Sequence, residues 1–306
     1  MTLLVSLWAN RSVRVAAVVL AVVAVLVVLG GALAPYDPLR QDIDAALQAP
    51  SAAHWLGTDY VGRDVLSRLM AGTRWSVVGA LEAVLVAVLI GVPAALASVW
   101  MGPRLEWLTQ RIFDTLVILP FAVFAIAVAG TLGNGLQQAM LAVGVLLSPT
   151  FFRITRSVAL GLRRSQYVEA AELMGAPRWW ILRHHIWSKV MPQVAVTAAQ
   201  YTGYALLVVA SLSFLGIGIQ PPAPTWGGML ASDLGYLAQQ AWAPLFPAAL
   251  MMATVASLSV IADAVRDATG LQRSTRGRTT SVTAPAEPAV PSTRRPDPLT
   301  KDTSDA

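Results

Sequence analysis

Three stretches of this sequence combine residue types at spacings that could do chemistry. The first runs Gly57-Thr58-Asp59, Gly62-Arg63-Asp64, Ser67-Arg68-Leu69. Its glycines suit tight turns, and Asp59 is placed to cap a following turn. It reads either as a structural cap or as a docking surface for an external partner. The second runs from Tyr167 to Gly175 and contains Glu169, Ala170 and Ala171. Small alanines let two surfaces approach, Glu169 offers a charged hydrogen bond, and Gly175 supplies a turn. The third lies between Ser211 and Asp233, where Pro221, Pro222 and Pro224 end a helix firmly. Trp226 there is expected to be an interfacial anchor in a rigid turn.

Catalytic constellations are missing from the sequence. Its two lysines, Lys189 and Lys301, follow no glycine-rich phosphate loop, so ATP is not expected to bind this chain. No Gly-x-Ser-x-Gly or His-Glu-x-x-His occurs. His184 and His185 are adjacent and cannot act as metal ligands at i and i+4 on one helix face. With no cysteine, thiolate catalysis, disulfides and Cys-ligated metal are excluded. No metal, no cofactor and no nucleic-acid partner is expected.

The elements that position these stretches are apolar. Of 306 residues, 56% are hydrophobic and 13% charged, about half the charge of an ordinary soluble domain. Six stretches suit membrane helices, each near the ~20 residues a bilayer core requires. They are Val15–Ala34, Trp75–Trp100, Gln110–Gly130, Leu136–Phe152, Val190–Ile217 and Trp242–Ala262. The first reads as a transmembrane helix rather than a cleaved signal. Pro93, Pro120 and Pro192 imply kinks.

If the N-terminus is cytoplasmic and all six stretches span, only Arg40, Arg63, Arg68 and Arg74 of the 22 Lys and Arg lie outside. That bias fixes the orientation. The division is then a cytoplasmic tail (1–12), a first transmembrane helix (13–34) and an extracytoplasmic segment (35–74). A five-helix core (75–270) follows and contains a cytoplasmic loop (153–189). A disordered cytoplasmic tail (271–306) ends the chain. In the outer segment, Asp64 to Ala71 reads as a short surface helix. In the inner loop, Ser165 to Met174 reads as a helix ended by Gly175, with Pro177 opening a second one. On residue types alone, that basic loop equally suits a lipid anchor.

Together the three motifs resemble the C-type permease subunit of dipeptide, oligopeptide and nickel ABC importers, over about residues 13 to 270. The Tyr167 to Gly175 stretch is similar to the Glu-Ala-Ala loop of that family, and Arg111, Asp114 and Pro120 also match. The resemblance implies an all-α membrane protein with six transmembrane helices, a type I ABC importer permease bundle with a cytoplasmic coupling helix. It would hydrolyse nothing itself. It implies a second homologous permease, two ABC ATPase subunits and an extracytoplasmic solute-binding protein as partners, with membrane lipid around the spans. Tyr167, Glu169, Ala170, Ala171 and Gly175 would then couple the ATPases to the spans. Asp59, Gly62, Arg63 and Asp64 would form an outer-face motif.

The chain departs from the family at Ser188, where a proline is usual, and at Thr269-Gly270. Pro192 is the candidate to take over the break. Glu82 stands where an apolar residue is expected, and an intramembrane acid is a functional candidate. With Arg111 and Asp114 it is a candidate pathway or structural residue. It would face a substrate amine, pair with a partner permease, or snorkel outward. Peptide import is the expected function, with nickel or another small solute as the alternative.

Overall fold

The structure is a computed structural model that describes residues 10–133 and 135–268. The disordered tail expected over 271–306, the replaced Thr269-Gly270 and most of the N-terminal tail lie outside the described residues. Among the described residues the fold is all-helical, and the one β-type pairing is an isolated bridge between Thr58 and Asp64.

Helix α1 (Arg11–Leu33) starts at Asn10, whose side chain accepts from the Ser12 amide at 3.0 Å. A mostly irregular segment follows, and then α2 (Val65–Trp100), a single helix of 36 residues. At the usual rise α2 is roughly 54 Å long, well beyond a hydrocarbon core of about 30 Å. The separate surface helix expected at Asp64 to Ala71 is therefore the first two turns of this span. Nothing interrupts the helix between Ala71 and Trp75, and the loop at Pro224 packs against Gly72 there.

The expected third span is broken. Helices α3 (Pro103–Ile118) and α4 (Phe121–Leu132) flank Leu119 and Pro120, both extended, and the two arms bend by 99°. Proline denies the preceding residue the helical region, and here the chain turns rather than kinks. Helix α5 (Leu136–Arg163) runs eleven residues past Phe152, so the loop expected from 153 begins as a continuation of a span. Then come α6 (Gln166–Leu173) and α7 (Arg178–Ile181). A π-helical turn over Leu182–Ile186 carries α7 into α8 (Trp187–Phe214). Helix α9 (Trp226–Leu234) is short, and α10 (Leu245–Ala268) closes the described fold. Among the described residues, five helical stretches are long and apolar enough to cross a membrane, six if α3 and α4 form one bent span.

The core is built on α2 and α5, with α8 packed on both. The two backbones approach closely at Gly91 and Gly144. A Cβ at Gly91 would lie 2.5 Å from the Ser148 carbonyl oxygen, and one at Gly144 2.5 Å from the Val86 Cβ. Small residues bring membrane helices into this contact, where dispersion replaces the hydrophobic effect as the driving force.

Candidate functional site

The first motif folds into a clasp of charges at the N-terminal end of α2. Asp59 accepts from the backbone amides of Val61 at 3.0 Å and Arg63 at 2.9 Å. Its second oxygen meets Arg63 Nε at 2.7 Å and Arg68 Nε at 3.4 Å. Asp64 caps α2, accepting from the Ser67 amide at 2.8 Å and hydroxyl at 2.6 Å, while its other oxygen lies 3.0 Å from His54 Nδ1. All four charged side chains are buried. Gly62 has φ +79°, and a Cβ there would strike the Asp42 carbonyl oxygen at 1.6 Å, so no other residue fits this turn.

The third motif closes over the first. Arg68 donates to the carbonyl oxygens of Pro38 at 3.1 Å and Pro222 at 3.4 Å. Gln240 donates to those of Gln48 and Thr58, both at 3.1 Å, and Tyr60 stacks on Tyr236. Trp226 corrects the sequence expectation. It is fully buried, not interfacial, and its indole N–H donates to the Leu69 carbonyl at 3.2 Å. Asp233 on α9 is buried beside this cluster, and one of its carboxylate oxygens has no partner among the described residues. Burial first, and then the Asp59 charge, push its pKa up to about 6. Sequence reasoning missed Asp233, since only the fold brings α9 to residues 59–68.

Helix α6 lies between α5 and α7. Val168 and Ala171 are its buried face; Tyr167, Glu169, Ala170, Leu173 and Met174 are exposed. Ala171 therefore packs inward and does not serve an approaching surface, as its size alone had suggested. Two large apolar side chains, Leu173 and Met174, are exposed at the end of this helix. The helix ends on Gly175, φ +80°. The Ala176 amide donates to the Ala171 carbonyl and the Gly175 amide to the Glu172 carbonyl, both at 3.0 Å. This pair of bonds defines a tight Schellman turn. Tyr167, Ala170, Met174, Trp180 and His185 border a cavity of about 610 Å³ beside the helix.

Ser188, in place of the family proline, is accommodated without a break. The helix continues through it, and the irregularity is the π turn just before. Pro192 sits inside α8 and does not take over as a stop.

The candidate intramembrane residues part company. Asp114 pairs with Arg153 at 2.7 Å across α3 and α5, and Glu106 pairs with Arg156 across the same helices. Arg111 is exposed, with no side-chain partner among the described residues. Glu82 is half-buried, about 25 Å along α2 from Val65. It too has no partner among the described residues. Elsewhere, mid-helix residues Thr150, Gln200, Tyr201 and Tyr204 line a cavity of about 510 Å³ between α5, α8 and the α3–α4 break. Glu82 does not border it. Among the described residues no three His, Cys, Asp or Glu side chains are grouped as a metal would need.

The described fold is thus a bundle of long helices with the short α6 between two of them, and the comparisons with known proteins place it among the permeases of ABC importers. The chain belongs to the family of binding-protein-dependent transport system inner membrane components, whose model matches residues 63–270. Residues 4–50 match the N-terminal transmembrane domain of oligopeptide transport permease C. The chain is 36% identical to the probable D,D-dipeptide transport system permease protein DdpC of Escherichia coli, covering 82% of this chain and 84% of that one. It is 36% identical to the glutathione transport system permease protein GsiD of Pectobacterium atrosepticum, over 77% and 79%. It is 32% identical to the nickel transport system permease protein NikC of Escherichia coli, over 84% and 92%. Among solved structures it resembles the inward-facing MetNI methionine ABC transporter, with TM-score 0.56 and 19% identity, covering 66% of this chain and 96% of that one. That likeness speaks to the fold alone.

Proposed function

We propose that this chain is the translocation subunit of an ATP-driven importer of di- or oligopeptides, with both termini cytoplasmic. The observation that carries the reading is α6. It is short, capped at a fixed turn and anchored by Val168 and Ala171, and it presents Glu169, Ala170, Leu173 and Met174 outward. Such an element can take a push from a cytoplasmic partner and pass it to α5 and α8. ATP would be hydrolysed on two partner ATPases, and α6 would sit in a groove of one of them. Peptide would arrive from an external binding protein docked over the clasp at Asp59, Gly62, Arg63 and Asp64. It would cross between this chain and a homologous permease. The wall offered to it includes Gln200, Tyr201 and Tyr204, polar groups at mid-helix where exposure to lipid would be costly. Glu82 is a second candidate contact, for the peptide amine or for the partner permease.

Nickel import is the second reading, favoured by the likeness to NikC. The test is the complete complex in liposomes, with uptake of labelled dipeptides and oligopeptides set against nickel. ATP-dependent peptide uptake is expected. Uptake of nickel alone would replace the first reading with the second, and ATPase activity of this chain purified alone would contradict both.

A further inference from the structure

An open groove of about 470 Å³ lies where the last turns of α2 meet the π turn and the start of α8. Leu96, Trp100, Met101, Trp179, Arg183 and Trp187 are among its walls, and no acidic residue is. Two neighbouring arginines are already engaged. Arg163 donates to the Val99 carbonyl at 2.5 Å, and Arg178 to that of Trp100 at 3.4 Å. Arg183 is exposed and has no partner among the described residues. Trp179, Trp187 and Met101 expose much of their apolar surface beside it. Trp100 is nine-tenths buried at the base, and its indole N–H has no acceptor among the described residues.

We propose that this groove binds one anionic phospholipid of the inner leaflet, its phosphate paired with Arg183 and its acyl chain laid along Leu96, Trp179 and Trp187. The inference rests on the orientation proposed above, which puts this end of α2 at the cytoplasmic surface. Two observations select a lipid over other occupants, and a third marks the groove as a binding site. Indole rings gather at the membrane–water interface, where one edge is wet and the other apolar. An unpaired guanidinium beside an apolar trough, with no carboxylate near, complements an anionic headgroup with a tail. The π turn lies in the wall itself, and such insertions in a helix often mark ligand sites.

The purified complex, ATPases included, is incubated with equal amounts of dioleoyl phosphatidylglycerol and dioleoyl phosphatidylcholine. Retained lipid is counted by native mass spectrometry. The wild type is expected to hold phosphatidylglycerol in preference, and Arg183→Glu to lose that preference at least fivefold. Arg40→Glu, an equal change of charge on the outer segment, is expected to keep it. A photoactivatable phosphatidylglycerol is expected to label peptides containing Trp179 or Trp187. Equal retention of both lipids by the wild type overturns the proposal, as does a preference unchanged in Arg183→Glu or equally lost in Arg40→Glu. Labelling of Trp179 and Trp187 only when the ATPases are stripped away assigns the groove to protein, and likewise overturns it. Co-purification of the ATPases with the wild type reports separately on the permease reading, so a failed lipid site and a failed assignment are told apart.

Discussion

Asp233 sits where a negative charge is hard to keep. It is 7% exposed, one oxygen has no partner, and Asp59 repels it, against which Arg68 and Arg63 pull only in part. With its pKa raised from 3.8 to about 6, the folded protein holds this proton more tightly than the unfolded chain does. The stability this adds is complete below about pH 3.8 and is lost as pH rises through about 6. Wild-type permease in detergent is therefore expected to lose thermal stability between those values through this group. Asp233→Asn, which cannot ionise, should flatten that part of the profile and melt higher than wild type at pH 7.5. Identical pH profiles for the two proteins would show that Asp233 is hydrated rather than buried against residues 59–68.

At the scale of the element, the geometry of α6 ranks substitutions. Gly175 has φ +80° and no heavy atom within 4 Å of an added Cβ. A side chain there meets only conformational strain, about 1–2 kcal/mol for alanine and less for asparagine. ATP-driven uptake is expected to fall in the order Gly175, Asn, Ala, Val. Glu169 is exposed and distant from that turn, so Glu169→Lys should leave the fold intact and the ATPases bound while uptake falls to background. Normal uptake with ATPases still bound would remove α6 from the coupling role. The sequence displayed this helix well, because a short helix closed by glycine is written in adjacent residues. It displayed others less well. A hydropathy window ends where Arg68 and Arg74 begin, yet a helix need not end where the hydrocarbon does, so α2 came out ten residues short. Pro120 announced a distortion, but a bend of 99° depends on what α3 and α4 pack against. Trp226 was ambiguous in kind. An indole suits an interface or a core that supplies an acceptor, and only the fold brings the Leu69 carbonyl to it.

At the scale of the whole molecule, four long-range ties run between segments that the proposed orientation places on one side. Arg68 reaches Pro222, and Gln240 reaches Thr58, joining the two outer segments. Asp114 and Glu106 pair with Arg153 and Arg156, joining the two inner ones. These separations of 39 to 182 residues are invisible to local pattern, yet each pair joins segments that the charge count over the loops also assigns to one side. The agreement makes orientation directly testable, since a chain with no cysteine accepts single cysteines as clean reporters. Ser51→Cys in the outer segment and Leu173→Cys on α6 both replace exposed residues. In intact cells a membrane-impermeant maleimide should label position 51 and spare position 173. In inverted vesicles without bound ATPases the pattern should reverse. Labelling at 173 should then fade when the ATPases are added back, because Leu173 lies on the surface proposed to meet them. Labelling of both positions from one side would break the alternation of spans and, with it, the placement of α6 in the cytoplasm on which coupling depends.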